Sequence, residues 1–153
     1  MEYKPIGAQK YKLDTLFLDL NGTVALNGVM VDGVAQRIAK LKDLGYKVVL
    51  LSGDLNGNAT QIAEKLAIDF VKATSTEEKA EVVARYDKKR VAAIGNARID
   101  IGMFENAEFS IVTLQSEGIQ AKILNYADVV VNSINDALDL LIDRSIFEAT
   151  MRI

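Results

Sequence analysis

Short apolar runs alternate with amphipathic stretches along almost the whole chain. Thr15–Leu20, Lys47–Ser52, Ile68–Val71, Val91–Ile94, Phe109–Thr113 and Asp128–Val131 are each of strand length. Most are rich in β-branched or aromatic residues, as strands buried on both faces are. Between them, Val34, Ile38 and Leu41 recur at helical spacing before Gly45, a suitable C-terminal stop. Ile62 and Leu66 mark a second helix, and Val82, Val83 and Tyr86 a third. Ser133 is placed to cap a helix over residues 134–142. Strands that alternate with helices predict an α/β fold, a three-layer Rossmann-like arrangement around a central, mostly parallel sheet. Asn27-Gly28 at the centre of Val24–Val31 predicts a hairpin. Tyr3, Pro5 and Ile6, then Tyr11 and Leu13, flank Gly7 in a looser alternation, a possible N-terminal hairpin (residues 1–13) against the sheet edge.

Length suits one domain over residues 1–153, with a proper core. A net charge of −3 without a long Lys/Arg block argues against a nucleic-acid partner. The polar segment Met1–Lys12 lacks the apolar run of a signal peptide, and no apolar stretch approaches the roughly 20 residues of a membrane helix. A cytoplasmic location without membrane contact is therefore the expectation. The sequence has no cysteine and no histidine. That excludes disulfides, thiol chemistry, Cys/His zinc sites and imidazole acid–base catalysis.

In parallel α/β sheets ligands sit at the carboxyl ends of the strands. Asp19, Leu20, Asn21, Gly22 and Thr23 come at the end of the first run; Ser52, Gly53 and Asp54 come at the end of the second; Lys79 lies near a helix start; Gly95–Asp100 follow the fourth run. An aspartate can attack phosphorus and hold an acyl-phosphate. Clustered carboxylates facing an anionic substrate need a cation, and Mg²⁺ takes oxygen ligands of this kind. The Ser52 hydroxyl, the Lys79 ammonium and the loop residues Gly22, Thr23 and Gly53 are the candidates to cradle phosphate oxygens.

The run Asp19-Leu20-Asn21-Gly22-Thr23 resembles the D-x-D-G-T signature of the haloacid dehalogenase superfamily, and Ser52, Lys79 and Gly95–Asp100 resemble its second, third and fourth motifs in order. Closest in character are small soluble proteins similar to the phosphorylation domain of P-type ATPases, whose nucleophile is also followed by a non-acidic residue and Gly-Thr. The resemblance implies Asp19 as nucleophile and metal ligand, and Asn21 as a backbone-carbonyl ligand to Mg²⁺. It implies Ser52 and Lys79 as holders of the phosphoryl group, and Asn96 and Asp100 as the remainder of the metal site. Lys72 is a rival to Lys79, Asn96 is either ligand or turn former, Asp54 is read as a helix cap and Arg98 as a surface charge.

The sequence departs from the family pattern at Asn21, Asn96 and Ile99. Asn21 stands where most family phosphatases have an aspartate as general acid and base, and an amide does neither job. Asn96 removes a negative charge from the metal site, and Ile99 replaces an asparagine. The segments between the first three motifs are too short for a cap domain. An uncovered site suits a phosphorylated macromolecule or a small phosphorylated molecule, and capless relatives are often homo-oligomers. The leading expectation is a Mg²⁺-dependent phosphohydrolase with weak turnover. The alternatives are a catalytically degenerate Mg²⁺/phosphate-binding or partner-binding regulatory domain, and a receiver domain, whose acceptor would lie on a middle strand.

Overall fold

The computed structural model describes residues 1–153, and the apolar runs of the sequence are its long strands. In chain order the strands are β1 (Glu2–Tyr3), β2 (Tyr11–Lys12), β3 (Thr15–Leu18), β4 (Ala25–Leu26), β5 (Val29–Met30), β6 (Lys47–Ser52), β7 (Asp69–Lys72), β8 (Val91–Gly95), β9 (Phe109–Thr113) and β10 (Val129–Val131). The helices are α1 (Val34–Asp43), α2 (Ala59–Leu66), α3 (Thr76–Val83), α4 (Ile101–Glu105), α5 (Ile134–Ile142) and α6 (Arg144–Met151). Six strands form one wholly parallel sheet in the order β10-β9-β8-β3-β6-β7. β3, the first core strand, is thus central, where the sheet order reverses direction.

Period-two alternation assigns side chains to layers. Leu16 and Leu18 of β3, Val48 and Leu50 of β6, and Ala92 and Ile94 of β8 join one buried cluster with residues of α1, α2, α5 and α6. Phe17, Val49, Leu51, Val91 and Ala93 join a second, covered by α3 and α4. Every residue of β3, β8 and β9 is buried, so these strands had to be apolar on both faces. No helix is long and apolar enough to cross a membrane.

Local signals act as expected at several ends. Gly45 takes φ 95° beyond α1, and its N–H bonds Lys42 O at 3.0 Å. Ser133 Oγ accepts the Asp136 N–H at the start of α5 (3.2 Å). Asn27 and Gly28 both take positive φ, 50° and 79°, in the two-residue turn joining β4 to β5. Helix α3 stops at Val83, short of Tyr86, whose ring packs edge-on against Phe17 at 5.1 Å.

The N-terminal hairpin exists, but its place differs from the expected sheet edge. β1 and β2 pair antiparallel and pack beneath the amino ends of the central strands. Tyr3 stacks on Phe147 of α6 at 4.0 Å, and Tyr11 meets Phe109, the first residue of β9, edge-on at 5.4 Å. The Tyr3 hydroxyl donates to Leu141 O (2.6 Å) and lies 2.7 Å from the hydroxyl of Tyr46, just before β6. Burial of large rings with their hydroxyls satisfied outweighs edge pairing for such short strands.

Candidate active site

Alternation continues one residue past β3. The Asp19 N–H still bonds Ile94 O at 3.0 Å, which turns the side chain to the face of Phe17, under α3 and α4. There Lys79 of α3 meets it. Lys79 Nζ lies 2.7 Å from Asp19 Oδ1 and 2.6 Å from Asp100 Oδ1, and the ammonium side chain is only 1 % exposed. Asp100 is anchored in turn, its Oδ2 accepting the N–H groups of Asn96 (2.9 Å) and Ala97 (3.0 Å). This carboxylate folds beneath its own turn, and a Cβ on Gly95 would stand 2.5 Å from Asp100 Oδ2, so that position takes glycine.

The charges do not balance. Two buried carboxylates share one buried ammonium. Burial, reinforced by the Asp100 charge, pushes the Asp19 carboxyl up to about 7, against the pull of Lys79. Burial works to lower the Lys79 pKa, but the attraction of Asp19 and Asp100 outweighs it and leaves the ammonium more firmly protonated than usual.

Above this pair opens a cavity of about 160 Å³, lined by Asp19, Asn21, Ser52, Gly53, Leu55, Thr74, Lys79, Ala97 and Ile99. Ser52 Oγ accepts the Asp54 N–H at 3.0 Å, and Asp54 Oδ1 accepts the Ala59 N–H at 2.9 Å at the head of α2. Asp54 therefore serves the helix end, as read. Asn21 Oδ1 accepts from Asn56 Nδ2 at 3.0 Å across the mouth. Gly22 takes φ 78°, and its N–H bonds Ala25 O at 2.8 Å. Lys72 and Arg98 are exposed, so Lys79 and not Lys72 joins Asp19.

Thr23 and Asn96 are buried beside Asp19. Thr23 Oγ1 lies 3.4 Å from Asp19 Oδ2 and 3.3 Å from Asn96 Oδ1, and its single proton satisfies one of them at a time. An acceptor is left over in a pocket of oxygens that carries excess negative charge. Such a donor set fits a hard divalent cation such as Mg²⁺. Asp19, the Asn96 amide oxygen and the Asn21 backbone carbonyl are the groups that would hold it; Asp100, expected to complete the metal site, instead turns Oδ1 to Lys79 and Oδ2 to the N–H groups of Asn96 and Ala97.

Three contributors escaped the sequence motifs. Thr74 follows β7 by two residues, so the same carboxyl-edge rule would have found it. Leu55, 87 % exposed on the cavity rim, carries no local signal. Gly102 of α4 acts at a distance: a Cβ there would stand 2.0 Å from Thr76 O and 3.1 Å from Ala80 N. Its bare backbone lets α3 settle on α4, and this close approach seats Lys79. Gly102→Ala is expected to cost about 1–3 kcal/mol through overpacking and to lower activity further than Tm alone explains. Melting and steady-state kinetics on one preparation check this; unchanged activity would separate Lys79 from the α3–α4 contact.

Comparison with known proteins settles the lineage. The haloacid dehalogenase-like hydrolase family matches residues 2–108. The chain belongs to that family. A soluble P-type ATPase-like phosphatase of Methanocaldococcus jannaschii is 28 % identical over 133 residues, covering 84 % of this chain and 49 % of that protein. The chain thus spans about half the length of this relative. Among solved structures, the cobalt-bound deoxy-D-mannose-octulosonate 8-phosphate phosphatase of Haemophilus influenzae superposes with TM-score 0.73 at 16 % identity, over 87 % of this chain and 89 % of that one. The 3-deoxy-D-manno-octulosonate 8-phosphate phosphatase of Moraxella catarrhalis, in complex with magnesium, phosphate and KDO, gives TM-score 0.71 at 14 % identity over 92 % and 94 %. At these identities the superpositions speak for the fold alone. Like the sequence, the structure of this haloacid dehalogenase-like hydrolase has no cap: only the β4–β5 hairpin, α1 and β6 separate Thr23 from Ser52, and α2 and β7 lie between Ser52 and α3.

Proposed function

We propose that this chain is a Mg²⁺-dependent phosphohydrolase that works through an aspartyl-phosphate on Asp19. The observation that carries the reading is the buried Asp19–Lys79–Asp100 chain of charges at the floor of a cavity rimmed by Ser52 and Gly53. The M. jannaschii phosphatase and the magnesium and phosphate of the M. catarrhalis complex support it.

An Asp19 carboxylate oxygen attacks phosphorus, the bond to the ester oxygen breaks, and the leaving group departs as its oxyanion, which takes a proton from solvent. Lys79 and Ser52 hold the non-bridging phosphoryl oxygens, and Asp100 holds Lys79 against Asp19. Bound Mg²⁺ would neutralise phosphate charge and the excess negative charge of the site, which keeps Asp19 ionised. Water then attacks the phosphorus of phospho-Asp19 and frees the carboxylate.

Both half-reactions lack a proton carrier at residue 21. The leaving oxygen departs unaided, which favours aryl and acyl phosphates, and the attacking water loses its proton to solvent. Asn21→Asp is therefore expected to raise turnover by about 10²-fold or more. The check is release of phosphate from an aryl phosphate by wild type and variant, each with Mg²⁺ and with a chelator. Activity that needs Mg²⁺ and rises in the variant supports the proposal. Two silent proteins that still bind Mg²⁺ would favour the second reading, a regulatory domain that binds metal and phosphate. The Asn21–Asn56 amide pair across the mouth is the feature that favours it.

A further inference from the structure

Asn96 is a weaker cation holder than the aspartate common at this position in the family, because an amide oxygen carries no net charge where a carboxylate would. Its amide is nonetheless oriented. Nδ2 donates to Gly118 O at 3.4 Å, and Oδ1 turns to Thr23 Oγ1 at 3.3 Å, the hydroxyl that also reaches Asp19 Oδ2. On the Nδ2 side stands a carboxylate outside every motif. Glu117 Oε2 and Asn96 Nδ2 lie 2.6 and 2.4 Å from a single point, the position a Cβ on Gly22 would occupy. Gly22 thus does more than permit a positive φ: its missing side chain leaves the gap into which amide and carboxylate both reach. Glu117 joins none of the ion pairs of the molecule.

The segment that carries Glu117 is tied down around the site. Gln115 N bonds Asn132 O at 2.8 Å, and Gln115 Nε2 donates to Thr23 O at 2.9 Å. Gln120 N bonds Asn96 O at 3.3 Å. Gln115 takes φ 44°, an unfavourable left-handed conformation for its type, while it bridges Thr23 and the head of α5 through Ile134 N at 3.3 Å. The segment is therefore clamped to Thr23, which reaches Asp19 Oδ2, and to Asn96, which shares the Thr23 hydroxyl.

We infer that Glu117 is a positioning residue for the Mg²⁺ site, an inference that rests on the Mg²⁺-dependent reading above. Its carboxylate enters the same gap as the Asn96 amide nitrogen, which favours the orientation in which the amide oxygen is turned to Thr23 Oγ1. It also returns, from the neighbouring loop, the negative charge that asparagine withholds at position 96. Outer carboxylates that orient a ligand in this way commonly change metal affinity by about 10–100-fold. The arrangement also implies a compensation. An aspartate at 96 would set its second oxygen against Glu117, so charge at 96 and charge at 117 are alternatives.

The test is calorimetric titration of Mg²⁺ into the purified chain, with melting of the metal-free proteins alongside. Glu117→Gln is expected to weaken Mg²⁺ about tenfold while the metal-free Tm stays at the wild-type value, because Glu117 is exposed and joins no ion pair. Asn96→Asp is expected to tighten Mg²⁺ more in the Glu117→Gln background than in wild type, a coupling that a merely structural role of Glu117 would not produce. Wild-type affinity in Glu117→Gln would overturn the role of Glu117 and leave the Mg²⁺ reading standing. Absence of Mg²⁺ binding by the wild-type chain would overturn both.

Discussion

Asp19→Asn is expected to lower phosphatase turnover by roughly 10⁴-fold or more and, at neutral pH without Mg²⁺, to raise the melting temperature. The loss follows from removal of the nucleophile, since an amide oxygen forms no stable phosphoryl ester. The gain follows from the charge imbalance. Asp19 titrates near 7 in the folded chain against 3.8 for an ordinary aspartate. A carboxyl with a raised folded-state pKa favours the fold below its unfolded pKa, and that contribution fades as pH climbs through the folded value. Metal-free wild type should therefore lose stability from about pH 4 to pH 7, on the order of 1–3 kcal/mol for a buried, coupled group of this kind. The amide that replaces the carboxyl in the variant does not ionise, so that slope flattens. Thermal melts of both proteins across this range, with and without Mg²⁺, provide the check. Parallel pH curves would mean that Asp19 is not the strained charge. Saturating Mg²⁺ should narrow the gap, because the cation stabilises a carboxylate that the variant lacks.

Lys79→Met is expected to do the reverse to the fold. Methionine keeps much of the apolar volume but leaves Asp19 and Asp100 buried with no cation between them. Breaking a buried pair by removal of one partner costs about 3–5 kcal/mol, here with two carboxylates orphaned. For a chain of this size that corresponds to a fall in Tm on the order of 10 °C. The penalty should shrink as pH drops, since burial already raises the Asp19 carboxyl and a proton there relieves the repulsion. A melt at pH 5 close to wild type, beside a large deficit at pH 8, is the expected signature. Equal deficits at both values would assign the loss to packing rather than charge. Lys72→Met, at an exposed position on the end of β7, should leave both activity and Tm near wild type, which separates the two lysines by experiment as the structure does by burial.

Much of this was legible in the sequence, for reasons that differ by element. Strands buried on both faces must be apolar at nearly every position, so β3, β6, β8 and β9 stood out as uninterrupted runs. Asn27-Gly28, Gly45 and Ser133 acted through purely local backbone needs and were readable one turn at a time. Asp19 and Ser52 were legible because Asp19 follows β3 directly and Ser52 ends β6, which leaves little freedom in where each side chain arrives. α4 and α6 were not. A five-residue helix shows no amphipathic period, and α6 begins on the Asp143 cap, whose Oδ1 accepts the Ser145 N–H at 2.9 Å. That cap follows α5 without a break in the apolar pattern. The N-terminal hairpin was foreseen, but its docking place was not, because its tyrosines could find their ring partners only after β9 and α6 were assembled.

What the sequence alone determined is the order and burial of the strands, and hence which side chains reach the carboxyl edge. Those facts depend on contacts between near neighbours and on the period-two rule. What only the tertiary structure decided is which of those side chains meet. Lys79 and Lys72 are rivals in the sequence until the bare backbone of Gly102 brings α3 against α4 and closes water away from the Lys79 ammonium. Glu117 reads as a loop carboxylate until the segment around it is clamped onto Thr23 and Asn96. In both cases the deciding quantity is the distance between segments remote in sequence. Electrostatic energy in a dry pocket depends on that distance steeply enough for an ångström to separate a solvated charge from a functional one.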